Sequence, residues 1–363
     1  PPSQTIWQQR IAASPGVEWI RPFTHAGTRP IGQLNADTFI IFEDHQLIGL
    51  NSADGSKRPF DLGDAVIDAA LVHEQNGSLY TAGRLGQINA FSPVENSETD
   101  VNLTPLWSLD LAQNGTPLLL PLPGGGVMAA VRTTLFAMSA DGKLLWQEDI
   151  GARPFSYTLT ADALFFATAS GADEAVWQVR DGERPLQIAD VSGKLAFADE
   201  QLWIYSARGV YRLNPATESP SAEQIYALPM GFPQQGDIMP LPAGGVLVIH
   251  TDLFDSRLLA FAPDGTLRQQ RSLGGGPSAG HYLQMVNDQP YLITNTSLQN
   301  AGELTLFAID LDAATLTHIF TGGSRMPITT DSWTAVFNNR LLLNIGGGHL
   351  AQIDVETAVQ NSP

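Results

Sequence analysis

The feature that most limits what this chain can fold into is an internal repeat. Aligned on itself, the sequence shows a unit of roughly 37 to 51 residues: an apolar run, a short polar break, a second apolar run, then a turn. The clearest copy is GVMAAVRTTLFAMSADGKLLWQEDIG, from Gly126 to Gly151. TFIIFEDHQLIGLNSADGSKRPFDLG from Thr38 and GVLVIHTDLFDSRLLAFAPDGTLRQQRSLG from Gly245 follow the same plan. Weaker copies begin near Ser78, Ala163, Gln201, Pro290 and Arg340, which makes eight.

Each unit reads as strands. FIIF, LFFAT, LWIYS, VLVIH and LLLNI are short and rich in β-branched or aromatic residues. They are apolar on both faces, as expected of strands sandwiched between neighbouring layers. Asp-Gly at Asp54-Gly55, Asp141-Gly142, Asp181-Gly182 and Asp264-Gly265 marks hairpin turns, because glycine takes the positive φ that such turns require. One further strand precedes each unit, for example PLLLPLP, SYTLTAD and KLAFADE. Four strands repeated eight times predict an all-β, eight-bladed propeller in one domain over 1–363, with minimal helix. The last unit stops after a third strand, HLAQIDVETA, and TIWQQRIAA from Thr5 matches KLLWQEDIG from Lys143. The expectation is therefore that Thr5–Ala12 pairs with the strand around His349 to Val355, with Trp7 in the place of Trp146.

Composition narrows the function. The formal charge of −18 comes from 37 acidic and 19 basic residues. It opposes nucleic-acid binding and docking on anionic lipid, and it favours a soluble monomer. With no cysteine there is no disulfide, thiolate metal site or cysteine nucleophile. Among the seven histidines no His-x3-His or His-Glu-x-x-His spacing occurs, and no Gly-x-Ser-x-Gly is present. No metal or catalytic residue is assigned, and no cofactor is expected.

LFAMSADGKLLW (Leu135 to Trp146) resembles the repeat of the pyrroloquinoline quinone-like propellers, with partial copies around Trp107 and Trp7. The resemblance implies blades packed through those tryptophans. It also implies one of two classes: quinone-dependent dehydrogenases, or non-enzymatic members such as BamB, a lipoprotein of outer-membrane assembly. The length is similar to the second class, and a chain without cysteine cannot form the vicinal disulfide of the first. The implied role is a non-catalytic protein- or ligand-binding scaffold of the cell envelope, in periplasm or at the cell surface, with room for a lipid anchor upstream of Pro1. The alternatives are a small quinoprotein-type enzyme or a ligand-sensing domain that uses the axial channel.

Two sets of residues stand out as candidate sites. GTRPIGQ around Arg29 and GARPFSY around Arg153 are the same text in two units, and GSRMPIT around Arg325 is a looser third copy. All three precede an innermost strand, so they are expected at one mouth of the axis as an anion site. The competing reading is that each arginine ties down its own loop. In the sixth unit, the loop LPMGFPQQGD carries Met230 and Phe232, and HTDLFDSR carries Leu253 and Phe254. Loop tips are normally polar, so these four residues, extended by Phe23 and Met326, offer a protein-docking patch; the competing reading is that they fold over each other and seal the end of the blade.

Overall fold

The computed structural model describes residues 12–23, 28–43, 45–62, 67–97, 100–170, 173–231, 236–274, 279–298, 301–312, 315–324, 334–346 and 349–360. The strands form eight four-stranded sheets. Each is an antiparallel meander in chain order, apart from the last, where a strand from the N-terminal end of the chain completes the sheet. The blades span 29–59, 69–110, 117–149, 154–189, 194–227, 237–272 and 279–324, and blade 8 combines 334–353 with 17–22. The first strands of neighbouring blades pack side by side round the axis, most loosely between blades 3 and 4. The fold class expected from the repeat is the one observed.

An isolated blade has two apolar faces and no way to bury either, so the core lies between blades. Eight buried clusters are found, one at each junction. Between blades 3 and 4, for example, Leu135, Ala137 and Trp146 pack against Leu164, Phe166 and Val179. Polar ties reinforce the junctions. From blade 2, the Tyr80 hydroxyl donates to Gly125 O at 2.6 Å and His73 Nε2 meets Leu122 O at 2.8 Å. From blade 5, Lys194 reaches Gly236 O and Asp237 in blade 6. Asp237 in turn accepts from Leu283 N in blade 7, at 2.9 Å.

The Asp-Gly turns do two jobs. Their glycines sit at φ +67°, +83°, +71° and +90°, as hairpin geometry requires. At Asp54 and Asp264 the carboxylate caps the turn by accepting from the amide two residues on. Two of the turns also receive a tryptophan from the blade before. The ring of Trp107, on the outermost strand Asp100–Asp110, lies 2.6 Å from where a Cβ on Gly142 would stand, and its Nε1 donates to Ala140 O at 2.8 Å. Trp19 covers Gly55 in the same way and donates to Ser52 O at 3.2 Å. At Gly265 the ring is replaced in two parts: Ile225 supplies the apolar cover, and Arg212 donates to Pro263 O at 2.8 Å.

Closure corrects the expected register at both ends of the chain. The strand that completes blade 8 is Val17–Pro22, which pairs with His349–Ile353; Thr5–Ile11, including Trp7, lie outside the described residues. Trp19 fills the place given to Trp7: its indole lies over the Gly55 turn of blade 1. Glu18 adds an ion pair to Arg340 at 2.8 Å. The third strand also ends earlier than expected. Asp354 accepts from Thr357 N at 3.1 Å and caps a short helix, Val355–Gln360, so Val355 belongs to the helix and not to the strand.

Trp19 is 6% exposed and holds the last junction of the ring. Trp19→Ala is expected to lower the unfolding free energy in urea by ~3 kcal/mol or more, as loss of a buried indole does. Gly55→Ala should also destabilise, because its φ is positive and the indole occupies the Cβ position.

Candidate functional site

In a blade of four meandering strands, the loop that enters the first strand and the hairpin between strands two and three emerge on one face. The exposed apolar residues of blade 6 concentrate there. Its second and third strands, Val246–Thr251 and Ser256–Phe261, are joined by Asp252-Leu253-Phe254-Asp255. Leu253 is 61% exposed and Phe254 86%. The hairpin is nevertheless firmly built. Asp252 Oδ1 accepts from the amides of Phe254 and Asp255 at 2.8 and 2.9 Å, and Arg257 bridges Asp252 and Asp255 at 3.4 and 3.2 Å. Burial opposes the charge of Asp252, but those amides and Arg257 outweigh it and hold its carboxyl below the usual carboxylate range.

Met230, in the loop entering blade 6, is 71% exposed. It borders an open groove of about 920 Å³ between blades 4 and 5. Glu174 and Asp190 stand on the blade 4 wall of that groove, and Arg208 and Tyr211 on the blade 5 wall. Behind Met230, Gly231 N donates to Ala207 O at 2.8 Å, and Gly231 itself sits so close to His250 that any side chain there would collide with the imidazole. Of the expected patch, then, Met230, Leu253 and Phe254 are exposed on one face. Phe232 and Met326 lie outside the described residues. Phe23 is half-buried under the Lys57 ammonium, 3.9 Å above its ring, at the blade 8–1 junction.

The arginines divide. Arg29 donates to Asp68 O at 2.5 Å and lies 4.6 Å over the Phe42 ring, so it fastens blade 1 to blade 2. Burial lowers its pKa, against a smaller opposing pull from Asp68. Arg153 is exposed and has no hydrogen bond or ion pair among the described residues. Arg325 lies outside them. Arg29 and Arg153 both stand at the start of an innermost strand and hence on one face, three blades apart.

Among the described residues no three His, Asp or Glu side chains gather as metal ligands. His250 is buried against Tyr205, whose hydroxyl meets Nδ1 at 3.2 Å; burial lowers its pKa, with Asp252 pulling the other way. His281, on the innermost strand of blade 7, is 3% exposed with neither ring nitrogen hydrogen-bonded. Burial drops its pKa to about 4. The groove with Arg208 escaped sequence reasoning, because its walls come from different repeats and no single stretch carries it.

No family model and no curated protein matches the chain. Solved structures do. BamB from Moraxella catarrhalis superposes with a TM-score of 0.62 at 13% identity, over 93% of this chain and 99% of that one. Apo AztD from Citrobacter koseri gives 0.52 at 11%, over 82% and 85%, and a second structure of Citrobacter koseri AztD gives 0.50 at 10%, over 87% and 88%.

His281 supplies a test of the buried interior. Its folded pKa, about 4, lies below the ~6.5 of an unfolded histidine. Above pH 6.5 neither state is protonated and nothing is lost. As pH falls from 6.5 towards 4, the unfolded chain takes up a proton that the folded one refuses, and stability declines by up to ~3 kcal/mol. Urea titrations at stepped pH should show that slope, and His281→Leu should flatten it. At identities this low the comparisons establish architecture: the chain has the propeller fold that it shares with BamB and AztD.

Proposed function

We propose that this propeller is a non-catalytic scaffold of the cell envelope that docks a partner protein through the face carrying the blade 6 hairpin. The observation that carries the reading is the Leu253–Phe254 tip. Two large apolar side chains are held open to solvent by a turn with four fixed polar contacts. A rigid tip loses little conformational entropy on binding, and an exposed aromatic with a polar rim is the usual anatomy of a contact hot spot. Met230 and the blade 4–5 groove continue the same face. The likeness of fold to BamB supports a scaffold and, with it, a place in the cell envelope. No helix among the described residues is long and apolar enough to cross a membrane.

Arg153 favours a second reading, in which the same face also receives an anion, because in a strongly acidic chain its guanidinium has no partner among the described residues.

A photo-crosslinking residue at position 254, introduced in the native host, should capture one defined protein. The same residue at 144, where Leu144 is 43% exposed at the opposite end of the blades, should not. With the captured partner purified, Leu253→Ser with Phe254→Ser should weaken binding by about 2 kcal/mol, or thirtyfold, with the melting temperature unchanged. Equal capture from both positions, or undiminished affinity, would sink the reading.

A further inference from the structure

Blade 4 departs from its neighbours at the outer edge. In blades 2, 3, 5, 6 and 7 the outermost strand reaches the first or second residue of the third strand: Gln87 pairs with Asp110, Thr134 with Asp149, Gly209 with Ala227, Arg257 with Ser272 and Gly302 with Ser324. In blade 4 the third strand, Asp173–Arg180, has eight residues and the outermost, Leu186–Ala189, only four. Their ladder stops at Val176, opposite Ala189, and residues 173–175 have no outer neighbour. Successive residues of an antiparallel strand direct their main-chain N–H and C=O to opposite sides. Either Glu174 or Ala175 therefore presents both groups to the vacant side, and neither residue makes a main-chain hydrogen bond outside the sheet among the described residues.

The vacancy opens onto the groove of about 920 Å³ between blades 4 and 5, which Glu174 and residues 187–191 line on one side and Ser206, Arg208 and Tyr211 on the other. That volume lies near the upper end of the ~300–1,000 Å³ typical of ligand clefts. Four steps of extended chain along residues 187–191 span ~13 Å, the length of a four- or five-residue strand. Across the groove, the Arg208 guanidinium is exposed and has no partner among the described residues, and the hydroxyl of the half-buried Tyr211 is likewise unbonded. The corresponding hairpin of blade 2 shows what the fold does with such an arginine when it uses one: Arg84 is held by Asp68 at 2.8 Å.

We propose that this groove receives an extended segment of a partner protein as an added strand on blade 4, with one acidic side chain of that segment against Arg208. An unpaired strand edge matches the alternating donors and acceptors of another polypeptide, and a guanidinium takes a carboxylate through two parallel hydrogen bonds. A free anion would satisfy Arg208 and leave the edge at Glu174 and Ala175 unpaired. The unpartnered Glu174 carboxylate on the facing wall opposes a polyacidic tract, so the segment carries a single acid. The proposal rests on the reading of this face as a protein-docking surface but not on the Leu253–Phe254 tip, and the two are tested apart.

The probe is a phage-displayed library of random heptapeptides selected on the full chain, with the winners synthesised and titrated calorimetrically. Selected peptides should share one acidic residue at a fixed position. Arg208→Glu should weaken them at least tenfold, and Ser221→Trp, which fills the groove from its exposed rim, should abolish binding. Methylating the peptide main-chain nitrogens one at a time should cost tenfold or more at alternate positions and little in between, the signature of strand pairing that contacts through side chains alone do not give. Both substituted positions are exposed, so melting temperatures should stay within a degree or two of the parent, which separates lost binding from lost folding. Leu253→Ser with Phe254→Ser should leave these affinities unchanged. Selection that yields no peptide blocked by Ser221→Trp would overturn the proposal, as would methylation costs without alternation or indifference to Arg208→Glu. Peptides lost with the tip variant but not with the groove variants would overturn it too, while upholding the tip as a docking site.

Discussion

Burial between blades is the constraint on which everything else rests. A four-stranded sheet with apolar residues on both faces cannot exist alone in water, and each of the eight clusters here is shared by two blades. Seven such contacts would leave two apolar faces bare at the ends of an arc. The eighth, where Trp19, Phe39, Ile41 and Phe337 meet, removes both at once. Closure is therefore a condition for the fold and not a final embellishment. The strand Val17–Pro22 stitches it by main-chain hydrogen bonds as well as by apolar contact.

Most of this was legible in the sequence because repetition samples the same physics eight times. The apolar pairs of runs and the Asp-Gly turns are local signals, and they identified blades, strand order and ring size. The closing strand was harder. TIWQQRI and VEWIRP each place a tryptophan between apolar residues, and text alone cannot say which indole lies over the Gly55 turn. That choice is made in space by Gly55, Ser52 and Arg340, none of them near the N-terminus in sequence. The early end of the last strand has a local cause, the Asp354 cap, which a strand-only reading of HLAQIDVETA overlooks.

The candidate residues were legible as departures from the repeat; their surroundings were not. Leu253 and Phe254 were visible as apolar residues where a hairpin tip should be polar, whereas the capping of the turn by Asp252 emerges only in the structure. Arg29 and Arg153 share a text without sharing a role in the fold. Their shared text gives them a shared backbone path, and whether a guanidinium is free depends on what the adjoining strand and blade provide. Arg29 lies opposite Phe42 in the register and finds an aromatic face there. Blade 4 has Thr168 opposite Pro154 and then Ala169, which provide no ring for Arg153.

This contrast explains how a repeat protein can acquire a site without disturbing its fold. The stability of the ring resides in the buried contacts between blades, made largely by second and third strands and by the tryptophans of outer strands. In blade 4 the first strand contributes little to the core: all its residues but Pro154 are partly or largely exposed, whereas residues 163–168 of the strand behind it are buried. Side chains on that inner rim can change with little cost to the ring, because their loss opens no cavity. Loop tips such as Leu253–Phe254 enjoy the same freedom for the same reason. The propeller thus separates the residues that hold it together, which the repeat shows plainly, from the residues free to bind, which show themselves only where one repeat departs from another.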